Sequence, residues 1–103
     1  MTKTLKTYTP IDGSLYVERQ YADTNQINKA LELAVSAQKS WKTTSLLERK
    51  RLCSKAVEAF VGLKEQIAEE LCWQMGRPIR YAEGEVMSFA SRASYMISIA
   101  DEA

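Results

Sequence analysis

Two cysteines are the residues best suited to covalent chemistry in this chain. Cys53 and Cys72 stand 19 positions apart in segments of helical pattern, and no Cys-x-x-Cys pair occurs. The 103 residues include no histidine, so the usual general base and the commonest metal ligand are missing. The sequence therefore predicts no nucleophile–base pair, zinc site or redox dithiol, and we assign both cysteines a packing role as small apolar side chains.

Charged residues supply further candidates, but each favours a structural role. Glu83 and Glu85 are two positions apart, so on a helix they point to different sides and would not share one substrate. In the run 48–51, Glu-Arg-Lys-Arg, Glu48 is expected to cap a helix start and the three basic residues to form a solvated helix face rather than a nucleic-acid contact. Arg77 and Arg80 are candidates for contact with an anionic substrate group. Ion pairs or a role at a helix start are the simpler interpretation.

The bulk composition predicts an ordinary globular chain in the cytoplasm. A hydrophobic content of 46%, a charged content of 26% and a net charge of +1 give no electrostatic reason to expect nucleic acid or an anionic membrane as a partner. No apolar run approaches the roughly 20 residues that span a bilayer. The N-terminal segment lacks the apolar stretch of a secretory signal.

Residues 4–21 predict a β-hairpin. Apolar and polar residues alternate on both sides of Asp12-Gly13, a dipeptide suited to a tight turn because both positions tolerate a positive φ. A two-stranded ribbon is marginal in water, so the hairpin must lie on another element. After it, two capping boxes mark helix starts: Asp23 with Gln26, and Ser45 with Glu48.

Glycine and proline divide the helical remainder. Gly62 is expected to split a long apolar-striped segment, Gly76 to end a helix in the left-handed conformation, and Pro78 to begin the next. Trp41 and Trp73 are expected in the core. The predicted fold class is mainly α, a hairpin followed by three or four helices over about 24–42, 46–61, 63–75 and 78–103.

The last predicted helix is unusually apolar for a surface helix. Residues 86–100 contain one charge, Arg92. On a helical wheel, half of the circumference is apolar: Val86, Met87, Phe89, Ala90, Ala93, Met96, Ile97 and Ala100. We therefore expect a cover on more than one side of this helix. An isolated chain would obtain that cover by self-association through residues 86–100.

Five short motifs follow one another along the chain. They are Pro10-Ile11-Asp12-Gly13, then Ala34, Ala37 and Trp41, then Glu48-Arg49 with Leu52, then Gly76-Arg77-Pro78, and finally Glu85-Val86. Their order and spacing resemble the N-terminal segment of NAD(P)-dependent aldehyde dehydrogenases from about Tyr8 to Ala103. Thr9 replaces the family's usual Asn, and Arg77 replaces its usual Lys.

The resemblance implies that residues 1–103 are a single segment of a larger α/β enzyme. In the family, a cysteine thiolate attacks an aldehyde, hydride passes to NAD or NADP, and a glutamate activates the water that hydrolyses the thioester. Those parts lie downstream, so no catalytic, cofactor-binding or metal residue is expected in this segment, which would be inactive alone. The parent is expected to be a homodimer or homotetramer. The alternative is a free-standing helical oligomerisation or binding module derived from the family.

The resemblance also carries two weaker site predictions. The helix after the Gly-Lys-Pro motif lines part of the family's aldehyde tunnel, which makes Gly84 and Ser88 candidate wall residues, with ordinary packing as the alternative. Many members hold a structural monovalent cation, and the matching positions are Thr7 and Gln74. Gln74 lacks the charge that attracts a hard cation, which argues against a site here.

Overall fold

The computed structural model describes residues 3–103, and helices account for most of them. The elements are β1 (Thr4–Tyr8), β2 (Leu15–Gln20), α1 (Thr24–Trp41), α2 (Leu46–Gly62), α3 (Lys64–Met75), α4 (Ile79–Ser98) and a 3₁₀ turn at Ala100–Glu102. The predicted class, a hairpin followed by helices, is confirmed. The last helix ends at Ser98 rather than at 103, because its final turn tightens into the 3₁₀ form common at helix ends.

The hairpin pairs β1 and β2 antiparallel, but its loop is wider than the predicted tight turn. The backbone N–H of Thr9 donates to the carbonyl of Ser14 at 2.9 Å and closes the loop. Only Gly13 takes a positive φ, 78°, and Asp12 does not. Instead, Asp12 Oδ1 accepts hydrogen bonds from the Ser14 backbone N–H at 2.9 Å and from Ser14 Oγ at 2.6 Å. That side-chain bonding replaces the left-handed conformation expected at Asp12.

The hairpin lies on α3, the support that an isolated ribbon needs. The ring of Tyr16 in β2 stacks on Trp73 with a centroid separation of 6.1 Å and an angle of 2° between ring planes. Thr9 is fully buried, and its Oγ1 accepts a hydrogen bond from the Ile11 N–H at 3.2 Å. The aromatic stack and this satisfied buried hydroxyl fix the loop against the helices.

The two predicted capping boxes have different outcomes. At α1, Asp23 Oδ1 accepts from the Gln26 N–H at 2.8 Å and Gln26 Oε1 accepts from the Asp23 N–H at 2.9 Å, so this box is complete. At α2, Ser45 Oγ accepts from the Glu48 N–H at 3.2 Å, but the Glu48 carboxylate accepts from Arg51 Nε at 2.8 Å. The second box is therefore half formed, because a guanidinium one turn ahead competes for the carboxylate.

The breaks between the later helices follow the glycines as predicted. Gly62 is the last residue of α2, and Leu63 separates α2 from α3. Gly76 caps α3 in the left-handed conformation at φ 74°, and Pro78 precedes the first residue of α4. These two breaks turn the chain so that α4 packs back against both α2 and α3.

Small side chains form the core where α4 meets α2 and α3. The buried hydrophobic residues are Ala68, Ala82, Val86 and Ala90. Alanines at a helix contact let the backbones approach closely, as ridge-into-groove packing requires. Phe60 and Phe89 extend the contact with an edge-to-face pair at 4.7 Å between ring centroids. Several large apolar residues of α4, including Met87, Phe89 and Met96, stay exposed.

Helix α1 stands outside this core and buries no residue. Trp41, at its C-terminal end, is 39% exposed, so the expectation of a core role was wrong for this tryptophan. The radius of gyration is 18.0 Å, against about 13 Å for a compact domain of similar length. Within residues 3–103, no helix combines the length and apolar character needed to cross a membrane.

Candidate functional site

An open groove at the start of α4 brings the two predicted wall residues together. We call it the α4 groove; its volume is about 410 Å³, and it is lined by Arg77, Arg80, Tyr81, Gly84, Glu85 and Ser88. Gly84 and Ser88 lie one helical turn apart, so both face the same space. The role of these two residues as walls of an aldehyde tunnel stays a prediction.

Each charged residue of the α4 groove has a partner within the groove. Arg77 Nη2 lies 2.8 Å from Glu85 Oε1, and both side chains are nearly half exposed. The guanidinium of Arg80 lies 4.7 Å from the centroid of the Tyr81 ring, a cation–π arrangement. The Arg77–Glu85 contact confirms ion pairing, the simpler of the two roles considered for Arg77. At this exposure the pair contributes little to stability, so Arg77 and Glu85 can separate at low cost.

Gly84 has no packing reason to be glycine. A Cβ atom built there meets no heavy atom within 4 Å beyond its own helix, and its backbone is helical. An exposed glycine inside a helix costs roughly 0.5–1 kcal/mol relative to alanine. The buried face of α4 is made instead by Ala82, Val86 and Ala90. The missing side chain therefore leaves space in the α4 groove rather than bringing two backbones together.

A second groove brings together the two residues predicted for a cation. It has a volume of about 310 Å³, and Thr7 and Gln74 line it together with Glu70. Gln74 Nε2 donates to Glu70 Oε2 at 2.6 Å, so the nearest carboxylate is occupied by an amide. In the part of the chain that the structure describes, no three His, Cys, Asp or Glu side chains group as they would around a metal ion.

Glu70 is the residue of this groove that sequence reasoning missed. Hydrogen bonding to the Glu70 carboxylate raises the pKa of the Tyr16 hydroxyl, and burial and the negative charges of Glu70 and Glu69 act in the same direction. The sequence signal for this contact was that Glu70 lies four residues before Gln74, because residues at this spacing meet on a helix surface.

The cysteines occupy different settings. Cys53 is exposed and borders an apolar groove of about 480 Å³ between α2 and α4, so the expected burial was wrong for this residue. Cys72 in α3 is half-buried. With no histidine in the sequence, neither thiol has an imidazole base to activate it. The described residues thus bring Gly84 and Ser88 to one groove, whereas neither thiol has an imidazole partner.

Comparisons with known proteins agree on one family. The model of the aldehyde dehydrogenase family matches residues 1–103. An aldehyde dehydrogenase-like protein of Schizosaccharomyces pombe is 30% identical over 99 residues, which is 95% of this chain and 19% of the relative. The NADP-dependent glyceraldehyde-3-phosphate dehydrogenase of Triticum aestivum is 31% identical over 93 residues, which is 90% of this chain and 19% of that enzyme.

Solved structures show the same partial match. The NAD-dependent benzaldehyde dehydrogenase of Corynebacterium glutamicum superposes with a TM-score of 0.86 at 25% identity, over 94% of this chain and 21% of that protein. A 3,6-anhydro-L-galactose dehydrogenase gives a TM-score of 0.88 at 25% identity, over 97% of this chain and 21% of that protein. The chain spans about a fifth of the length of the relatives that it matches. By a family match along its whole length and by its fold, the chain belongs to the aldehyde dehydrogenase family.

Proposed function

We propose that this chain is the N-terminal segment of an NAD(P)-dependent aldehyde dehydrogenase and that it has no activity alone. The observation that carries the proposal is a family match over all 103 residues to about a fifth of each relative. The whole enzyme would oxidise an aldehyde to a carboxylic acid through a cysteine thioester and pass hydride to NAD or NADP. We place it in the cytoplasm as a homodimer or homotetramer.

The segment's own residues do not fit a dinucleotide. The residues before α1, α2 and α4 are Asp23, Ser45 and Pro78, and none belongs to a glycine-rich loop at a helix N-terminus. Asp23 would also repel a phosphate at the one helix start that has a complete capping box. We therefore assign cofactor binding to the remainder of the enzyme and derive no step of it from residues 3–103.

The contribution we assign to this segment is one wall of the aldehyde's path. Gly84 supplies space, and Ser88 supplies a hydroxyl one turn away on the same groove. The weak Arg77–Glu85 pair stands beside them and can reorganise around a polar substrate. In the whole enzyme this arrangement positions a substrate, while bond making and breaking depend on residues elsewhere.

The test compares the 103-residue chain with the full product of a reading frame that contains it. Each is incubated with a panel of aldehydes and either NAD or NADP, and nicotinamide reduction is followed by absorbance. We expect turnover by the longer product and none by the 103-residue chain. Reduction of cofactor by the short chain would overturn the proposal, and so would a folded longer product that binds NAD(P) but oxidises no aldehyde.

One observation favours the second candidate, a free-standing helical oligomerisation module. The groove between α2 and α4 is lined by apolar side chains, among them Phe60, Phe89 and Met96, and it is open to solvent. Exposed apolar surface of this kind marks an interface. A stop codon directly after codon 103 in the natural gene, with stable oligomers of the short chain, would favour the module over the enzyme segment.

A further inference from the structure

Helix α1 carries an apolar face that nothing in the described chain covers. We call Ile27, Leu31, Ala34 and Val35 the α1 stripe, since they recur at three- and four-residue steps on one side of the helix. Leu31 and Val35 are each 61% exposed, and Ile27 is 49% exposed. Part of the stripe forms an open trough that continues to Lys39 and Lys42.

The hydrogen bonds at its two ends are not enough to hold α1 firmly. Its start is fixed by the Asp23–Gln26 capping box, and the Lys42 N–H bonds back to the carbonyls of Gln38 and Ser40 at its end. Most of the stability of helices in proteins comes from packing an apolar face against the rest of the fold rather than from helix propensity. With 18 residues and no buried side chain, α1 lacks that packing.

The solved relatives nevertheless hold α1 in the same place. Their superpositions cover 97% and 98% of this chain with TM-scores of 0.88, so only about three residues remain unmatched, whereas α1 contains 18. No contact within this segment accounts for that placement, because α1 buries none of its residues. The restraint in the relatives therefore lies outside the matched segment, which is 21% of each of those chains.

We propose that the α1 stripe is the docking surface for the part of an aldehyde dehydrogenase fold outside the matched segment. This rests on the proposed function, in which the chain is one segment of such an enzyme. The complementary surface would be apolar and bordered by carboxylates, since Lys39 and Lys42 extend the trough at the C-terminal end of the stripe.

A second copy of the chain is the less suitable occupant. Stable interfaces between separate proteins use roughly 20–30 residues on each side, whereas the stripe offers four apolar side chains. A surface on the same polypeptide has no such requirement, because covalent connection removes most of the entropy cost of association.

The first test measures amide hydrogen exchange of the 103-residue chain at a concentration where sedimentation shows a monomer. We expect amides of residues 24–41 to exchange at least about 100-fold faster than those around Val86 in the core. Protection of α1 equal to that of α4 in the monomer would overturn the proposal. Protection of α1 that rises with protein concentration would also overturn it, because it would identify a second copy as the occupant.

The second test places this chain in the N-terminal position of the Corynebacterium glutamicum benzaldehyde dehydrogenase. We expect α1 in the chimera to exchange at least about tenfold more slowly than in the monomer. Leu31→Glu should lower the unfolding temperature, and Leu33→Glu serves as the matched control, since Leu33 is also 61% exposed but lies off the stripe. Equal effects of the two substitutions in a folded chimera would overturn the proposal. If the chimera does not fold, the exchange measurement on the monomer decides.

Enzyme activity is recorded separately, so that the two proposals fail independently. A chimera with protected α1 but no aldehyde oxidation leaves the docking surface in place and counts against the proposed function. An active chimera in which α1 is unprotected supports the proposed function and overturns the docking surface.

Discussion

Pro10 and Gly76 meet where the hairpin loop crosses the end of α3. A Cβ atom on residue 76 would lie 3.1 Å from Cγ of Pro10, closer than ordinary van der Waals contact. Gly76 also holds a φ of 74°, which ends α3 and starts the turn toward α4. One glycine therefore serves two requirements, a left-handed helix cap and a close approach to the hairpin.

We predict that Gly76→Ala destabilises the chain by about 2 kcal/mol. The left-handed conformation costs a residue with a Cβ atom roughly 1–2 kcal/mol, and the contact with Pro10 adds steric strain. Urea denaturation followed by tryptophan fluorescence would report the change, because Trp73 stacks on the hairpin that would be displaced.

Gly62→Ala is the matched control for this prediction. Gly62 has no positive φ, and its Cβ position is open. We expect unchanged or slightly higher stability, since alanine is the better helix former. A loss in Gly62→Ala as large as that in Gly76→Ala would show that neither the left-handed φ nor Pro10 is responsible.

We predict that Gly84→Ala raises the free energy of unfolding by about 0.5–1 kcal/mol. Position 84 is helical, exposed and free of neighbouring atoms within 4 Å, so alanine gains helix propensity without a clash. Thermal denaturation is the measurement. A destabilised variant would mean that an unseen neighbour occupies this space.

A larger side chain at the same position tests the substrate wall. In an active full-length enzyme, Gly84→Leu should lower kcat/KM for bulky aldehydes by about tenfold or more while sparing small ones, because the added side chain narrows the α4 groove. Glu83→Leu, next to it on α4 but outside the groove, is the control. Equal losses for bulky and small aldehydes would contradict a steric wall.

The hairpin and the helix breaks could be predicted because they depend on local chemistry, whereas the family was identified by resemblance of its motifs. The complete box of Asp23 and Gln26, the left-handed cap at Gly76 and the hairpin all follow from neighbouring residues. The predictions of local structure fail where a second hydrogen-bond partner competes for the same side chain. Glu48 bonds to Arg51 instead of the helix start, and Ser14 bonds to Asp12 and widens the loop.

Burial was the least predictable property. Trp41 and Cys53 carry apolar side chains at positions of helical period, yet both are exposed. Periodicity identifies the apolar face of a helix but not the element that covers it. In a segment that matches a fifth of its relatives, several such faces have no partner within residues 3–103. The contact between Glu70 and Gln74 was missed although its four-residue spacing within α3 is readable from the sequence.

Asp12 predicts an acid-sensitive hairpin loop. Hydrogen bonds from the Ser14 side chain and backbone lower the pKa of the Asp12 carboxyl below its usual value of about 3.9. A lowered folded-state pKa stabilises the loop at pH values above about 4, and this contribution is lost as the pH falls through the folded-state pKa. An NMR titration of the side-chain carboxyl should show the low pKa, and Ser14→Ala should raise it. An unchanged pKa in Ser14→Ala would contradict this origin.

Self-association through residues 86–100 is the last prediction, and it concerns the 103-residue chain by itself. Phe89 and Met96 are 50% and 58% exposed on the side of α4 that faces α2, and both border the apolar groove that includes Cys53. We expect a dimer or larger oligomer, and Met96→Glu should raise its dissociation constant at least tenfold, or about 1.4 kcal/mol. Leu47→Glu is the control, because Leu47 is 78% exposed at the start of α2 and lies outside this groove. Sedimentation velocity over a concentration series separates the outcomes. A monomer with little binding of an apolar dye would contradict the prediction, and equal weakening by both substitutions would place the interface elsewhere.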